Sequence, residues 1–309
     1  MKPVLLPPML KTGDRIGIIA PAGIVKQENI NKGVAHLKKL GFEVKYSPSL
    51  FEQTRYTAGS IKRRVTEFEE MLEDKSVKAI FAARGGYGSM HLLDYLDKLK
   101  NVDPNQPKIV MGYSDITALL IGLYQKYSWV TFHGPMINKD FAGGLYDERS
   151  FTKLLTRPLP AGPVDSQNVQ VLVPGTARGR LLGGCMSLIV SLLGTPWELD
   201  TTGAVLFLED INEKPYRLDR MITQLRLAGK LQNIRAIIFG EMAACQVEAM
   251  AGYSLTDLLT DLSKDLNIPV VFGLRAGHSD VGNLTLAFGI EVSLNERGIL
   301  SFNEPAVVL

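Results

Sequence analysis

Short apolar runs alternate with amphipathic stretches through the first half of the chain. Arg15-Ile-Gly-Ile-Ile-Ala20 is compact and β-branched and ends at Pro21-Ala-Gly23, as a buried strand and its turn would. Residues 28–40 predict a helix stopped by Gly41, and Phe42-Glu-Val-Lys-Tyr46 alternates as a strand does. Ile61, Val65, Phe68, Met71 and Leu72 recur at helical spacing over 60–74. Lys78-Ala-Ile-Phe-Ala-Ala83 predicts a strand entering Arg84-Gly-Gly-Tyr-Gly88, with a helix over 89–99. Ile109-Val-Met111 leads through Gly112 and Tyr113 to Ser114. Beyond it Ile116, Leu119, Leu120 and Leu123 share one helix face, and Trp129-Val-Thr-Phe132 predicts a further strand. Regular alternation of strand and helix implies a mostly parallel sheet with helices on both faces.

The rhythm breaks over 157–175, where Pro158, Pro160, Pro163 and Pro174 accompany Gly162 and Gly175. This is the best candidate for a linker, so the chain divides into an N-terminal domain over 1–160, a linker over 161–176 and a C-terminal domain over 177–309. In the latter, Cys185, Leu188, Ile189 and Leu192 share a helix face, and Ala204-Val-Leu-Phe-Leu208 predicts a strand. Pro215 suits the first position of a helix that continues through Leu218, Met221, Ile222 and Leu225. Ala236-Ile-Ile-Phe239 and Pro269-Val-Val-Phe272 predict strands, and 283–302 alternates like β structure around a hairpin turn at Asn295-Glu-Arg-Gly298. The fold class expected is α/β in both domains.

Composition narrows the function. The chain has 309 residues, 46% of them hydrophobic and 21% charged, enough apolar material for one or two cores and too much for global disorder. The formal charge is +2 with no basic block, which excludes an electrostatic nucleic-acid footprint and leaves a small molecule or a protein as partner. The apolar start is short and broken by Pro7 and Pro8, and no run is long enough to span a bilayer; a cytoplasmic, soluble protein is expected. Two cysteines, Cys185 and Cys245, cannot build a disulfide framework or a cysteine zinc site.

Candidate chemistry concentrates at strand ends. There is no Walker A loop, HExxH or Cys-x-x-Cys, and the glycines at 85–88 fail the dinucleotide spacing because His91 stands where the third glycine belongs. Of four histidines, His36 and His91 lie in predicted helices. His133, at a strand end before Gly134-Pro135, and His278, within Arg275-Ala-Gly-His-Ser-Asp280, are the candidates for a base. Ser114 sits where a strand meets a helix, either as an exposed nucleophile or as a plain helix cap. Gly85-Gly86-Tyr87-Gly88 could present N–H groups to an anion together with the amide of Asp115, or simply turn the chain. Glu209 and Asp210 end a strand, where one could orient a histidine or both could be solvated acids.

Arg84-Gly-Gly-Tyr-Gly88, Gly112-Tyr-Ser-Asp-Ile-Thr-Ala118, Thr131-Phe-His-Gly-Pro-Met136, Gly183-Gly184 with Leu192-Leu-Gly-Thr-Pro-Trp197, Leu208-Glu-Asp-Ile-Asn-Glu-Lys-Pro-Tyr-Arg217 and Gly273-Leu-Arg-Ala-Gly-His278 occur in that order. The series resembles the LD-carboxypeptidases (muramoyltetrapeptide carboxypeptidases) of serine peptidase family S66, from about residue 14 to the C-terminus. The resemblance implies a Rossmann-like N-terminal domain carrying the nucleophile Ser114 and a smaller α/β C-terminal domain carrying Glu209 and His278. It places the site in the cleft between them, with the N–H groups of Gly86 and Asp115 as oxyanion hole. It further implies a cytoplasmic murein tetrapeptide as substrate, cut before its terminal D-Ala, no metal or other cofactor, and a homodimer, a state common in the family. Tyr113 replaces a histidine found in some relatives. Two competitors stand beside this reading: a microcin C immunity-type peptidase cutting aminoacyl-nucleotide conjugates, against which the compact interval from Ser114 to Glu209 argues, and a non-catalytic α/β protein binding a small anion.

Overall fold

The computed structural model describes residues 3–309 except 100, 101, 166, 249 and 251. Two sheets carry the chain. In the first, the spatial order is Leu286–Phe288, Thr131–His133, Ile109–Gly112, Val77–Ala82, Arg15–Ile19 and Glu43–Lys45. Five strands run parallel, and Leu286–Phe288 adds an antiparallel edge, pairing Leu286 with His133 and Ala287 with Phe132. The central strands are buried along almost their whole length, which is why they read as continuous apolar runs instead of alternating ones.

Helices Gln27–Lys39, Ile61–Glu73 and Thr117–Tyr127 connect these strands. Ile61–Glu73 begins where the Ser60 hydroxyl accepts the Arg63 N–H at 3.1 Å, satisfying one of the unpaired amides of its first turn. Thr117–Tyr127 is different. Thr117 through Leu123 are all buried, because this helix lies between the two sheets, against Ala177–Cys185 and Met186–Ser191. A helix apolar on every side needs cover on every side.

The second sheet has eight strands in the order Gly162–Pro163, Leu300–Phe302, Glu291–Leu294, Ala177–Cys185, Ala204–Ile211, Ala236–Ala243, Val270–Leu274 and Gln170–Val173. The four from Ala177–Cys185 to Val270–Leu274 are parallel, and the flanks are antiparallel. The proline-rich stretch expected as a linker thus supplies both edge strands, Gly162–Pro163 and Gln170–Val173. The 89–99 segment, expected as one helix, is a 3-10 turn at Ser89–Leu92 followed by a single α turn at Leu93–Leu96. Among the described residues, no helix is long and apolar enough to cross a membrane.

Along Ala177–Cys185, glycines permit close approach both to the neighbouring strand and to the other half. A side chain on Gly183 would fall 1.8 Å from the Phe207 carbonyl oxygen, and one on Gly184 would strike Thr117. The space lets the Cys185 N–H donate to the Thr117 hydroxyl at 3.0 Å, tying the central strand of one sheet to the buried helix of the other.

Candidate active site

In the first sheet the chain leaves Arg15–Ile19 toward one side and returns to pair on the other, so a crevice opens beyond the carboxyl ends of Arg15–Ile19 and Val77–Ala82. Pro21-Ala-Gly23 and the 84–88 loop meet there. The Gly23 N–H donates to the Gly85 carbonyl at 2.9 Å, an approach that a side chain on Gly23 would block.

Ser114 follows the neighbouring strand Ile109–Gly112. Its φ is +62°, a left-handed conformation that costs a non-glycine residue free energy. Ser114–Ile116 forms a 3-10 turn that runs directly into Thr117–Tyr127, and no side-chain cap hydrogen bond starts that helix. Ser114 is therefore not the helix cap that the pattern alone favoured. The sharp strand-to-helix bend instead lifts its side chain off the sheet edge into a cavity of about 600 Å³ lined by Gly86, Tyr113, Ser114, Ile211 and His278.

Asp115 and Gly86 lie in the two turns that adjoin Ser114. Asp115 lies in the first turn of the 3-10/α unit, where backbone N–H groups have no intrahelical acceptor. Gly86 holds φ +107°, open to glycine alone. A side chain on Gly85 would reach within 3.0 Å of Ser114 Oγ, so the 84–88 loop packs directly on the serine. Asp115 also fixes that loop: its buried carboxylate accepts the Ser89 N–H at 2.8 Å, and the Ser89 hydroxyl donates to the Asp115 carbonyl. The sequence offered the Asp115 amide; nothing in it signalled the side-chain clamp.

Glu209 and His278 arrive from the second half. Glu209 Oε2 stands 2.7 Å from His278 Nδ1, and Glu209 is fully buried. Two glycines make room for it: a side chain on Gly277 would lie 2.5 Å from the Glu209 carboxyl, and one on Gly240 2.9 Å from its Cβ. Asp210, on the opposite face of the strand, is occupied elsewhere. It accepts the Ser187 N–H at 2.8 Å and the Ile211 N–H at 2.9 Å, and burial pushes its carboxyl up to about 6. Of the two adjacent acids, Glu209 is the one that meets a histidine.

The His278 ring packs edge-on against Tyr113, with centroids 5.1 Å apart. Burial drives the Tyr113 hydroxyl well above its ordinary range, so it stays protonated, 3.5 Å from Asp140, whose own carboxyl burial raises to about 6. The loop bearing His278 is pinned to the first half by Lys139, whose ammonium binds Asp280 at 2.8 Å. His133 does not reach the cavity. It is fully buried among Tyr113, Phe207 and Phe288, and burial pushes its pKa down to about 4, holding it neutral. His36 bonds to Tyr146 and His91 lies against Arg64, both in packing positions.

Comparison with known proteins shows the family and the fold. Residues 16–134 match the LD-carboxypeptidase N-terminal domain, and residues 178–294 match the LD-carboxypeptidase C-terminal domain. A Bacillus subtilis protein named "Probable murein peptide carboxypeptidase" is 36% identical over 94% of this chain and 91% of its own. The crystal structure of muramoyltetrapeptide carboxypeptidase from Oxalobacter formigenes superimposes with a TM-score of 0.80 at 30% identity, over 94% of this chain and 99% of that one. A structure of MccF in complex with glutamyl sulfamoyl guanosine gives a TM-score of 0.85 at 25% identity, over 98% of this chain and all of that one. The chain belongs to the LD-carboxypeptidase family S66, a family of serine peptidases.

Proposed function

We propose that this chain is an LD-carboxypeptidase that releases the terminal D-amino acid of a murein tetrapeptide in the cytoplasm, as a step of peptidoglycan recycling. Ser114 is the nucleophile, His278 the general base and Glu209 its orienting carboxylate. The observation that carries the reading is the Glu209–His278 pair at 2.7 Å facing the cavity into which the strained Ser114 bend projects.

The chemistry follows from the groups. Glu209 accepts from His278 Nδ1, which leaves the other ring nitrogen free to take the Ser114 proton as the oxygen attacks the amide carbon. The buried carboxylate then stabilises the imidazolium. The N–H groups of Gly86 and Asp115 receive the oxyanion, and the helix N-terminus behind Asp115 adds favourable potential. His278 returns the proton to the departing amine, and water, activated by the same ring, hydrolyses the acyl-enzyme.

The test is release of D-Ala from the tetrapeptide, followed by mass spectrometry beside an aminoacyl-sulfamoyl nucleotide. That second compound is included because the MccF structure superimposes so completely. Ser114→Ala and His278→Ala should each lower turnover by roughly 10³-fold or more. Glu209→Gln should cost about 10²- to 10⁴-fold, far more than Asp210→Asn. Undiminished activity in either of the first two variants ends the triad assignment, and preferential loss of mass from the nucleotide favours the immunity-type reading.

A further inference from the structure

The cavity that holds Ser114 has a sign. Among the described residues lining it are Lys26, Arg84 and Lys139, and no aspartate or glutamate. Lys139 is neutralised by Asp280 at 2.8 Å. Glu28, the acid near Lys26, is held by Lys32 at 2.7 Å. Arg84 makes no ion pair among the described residues: its Nη1 donates to the Ile24 carbonyl at 2.7 Å, which orients the guanidinium and leaves four of its five N–H groups for other acceptors. The other arginines beside the family motifs are committed, Arg275 to Asp165 at 2.7 Å and Arg217 to Glu213 at 3.3 Å.

Arg84 is also rooted in the right place. It immediately precedes Gly85, which packs on Ser114, and lies two residues before Gly86. In a peptide that ends one residue beyond the attacked carbonyl, the free carboxylate carbon lies three bonds further along the chain, less than about 3.8 Å away. A side chain rooted one residue from the contact with the nucleophile spans that distance. A guanidinium offers a carboxylate two parallel hydrogen bonds, a geometry that a lysine cannot reproduce.

We propose that Arg84, with Lys26 beside it, reads the free carboxylate of the residue that is released, and so makes the site act on chain ends only. This inference rests on the peptidase reading above and names the group that selects its substrate. An internal peptide bond presents no anion at that point and leaves the arginine facing an amide.

The experiment compares three peptides: the LD-tetrapeptide, its C-terminal amide, and the tetrapeptide whose diamino-acid carboxylate alone is amidated. Wild-type chain should cleave the free acid about 10- to 100-fold better in kcat/KM than the C-terminal amide, the range expected for a charge-assisted bidentate contact. In Arg84→Gln that ratio should collapse toward one, chiefly through KM for the acid, and Arg84→Lys should recover part of it. Far-ultraviolet circular dichroism confirms that the variants are folded. A wild-type ratio near one, or an Arg84→Gln variant that keeps the full ratio, overturns the inference and leaves the peptidase reading standing. Loss of discrimination against the side-chain amide instead overturns the assignment to the released residue. If wild-type chain cleaves none of the three, the peptidase reading fails and takes this one with it.

Discussion

Gly277 holds more of the site in place than its lack of a side chain suggests. At φ +94° it turns the chain immediately before His278, and its bare α-carbon lies where any β-carbon would meet the Glu209 carboxyl at 2.5 Å. Gly277→Ala should therefore displace Glu209 and add backbone strain, costing about 1–3 kcal/mol of stability. Turnover should drop at least tenfold in a chain that remains folded by circular dichroism, with KM little changed. An alanine variant with wild-type turnover would show that the carboxylate does not need its observed position. Asp210 makes the complementary point at this scale. It is buried like its neighbour and bears the same carboxyl group, yet the period-two alternation of a strand directs it to the Ser187 amide in the first turn of Met186–Ser191. One residue of register separates a group that pairs with histidine from one that caps a helix.

At the scale of elements, the site is assembled where strands end and turns begin. The clamp between Asp115 and Ser89 joins the helix behind Ser114 to the loop carrying Gly86. Asp115→Ala should loosen that loop and lower kcat about tenfold or more, the cost of a donor held off its target. Asp115→Asn keeps an acceptor oxygen and should retain most activity. Equal losses in the two variants would point to charge, not to the hydrogen bond. Most elements were legible from periodicity: the Ile16–Ile19, Ile80–Ala83 and Ile109–Met111 runs are buried on both faces and the helices at 27–39, 61–73 and 117–127 are flanked by turn residues. The 89–99 helix was not, because Ser89 spends both its N–H and its hydroxyl on Asp115, a partner 26 residues away. The strands inside the proline-rich segment were masked for a different reason. Proline is tolerated on a sheet edge, where one side of the backbone needs no partner, and both strands are edges. The resemblance supplied Glu209 over Asp210, which residue types alone left open.

For the molecule as a whole, burial of polar groups sets how stability responds to pH. His133 is neutral in the folded chain with a pKa near 4, whereas an unfolded histidine protonates near 6.5. Its contribution is fully present above pH 6.5 and is lost as pH falls toward 4, because the unfolded state then binds the extra proton. Asp140 and Asp210 act with the opposite sign. Burial lifts both to about 6, so they cost the fold stability as pH rises from about 4 through 6. His133→Leu isolates the first effect: its melting temperature should fall less than that of wild type between pH 6.5 and 4. Parallel decline of the two proteins would show that His133 protonates without cost.

The antiparallel edge strand Leu286–Phe288 bears on how the protein comes into being. Its partner Thr131–His133 is synthesised about 150 residues earlier, on the order of ten seconds or more at ordinary translation rates. For that interval the first sheet has an unpaired edge two strands from Val77–Ala82, and Glu209 and His278 have yet to meet. Leu286 follows His278 by only eight residues, so the strand that closes the sheet and the imidazole that pairs with Glu209 leave the ribosome almost together. The Glu209–His278 pair therefore becomes available to a nascent chain only as its first sheet is sealed.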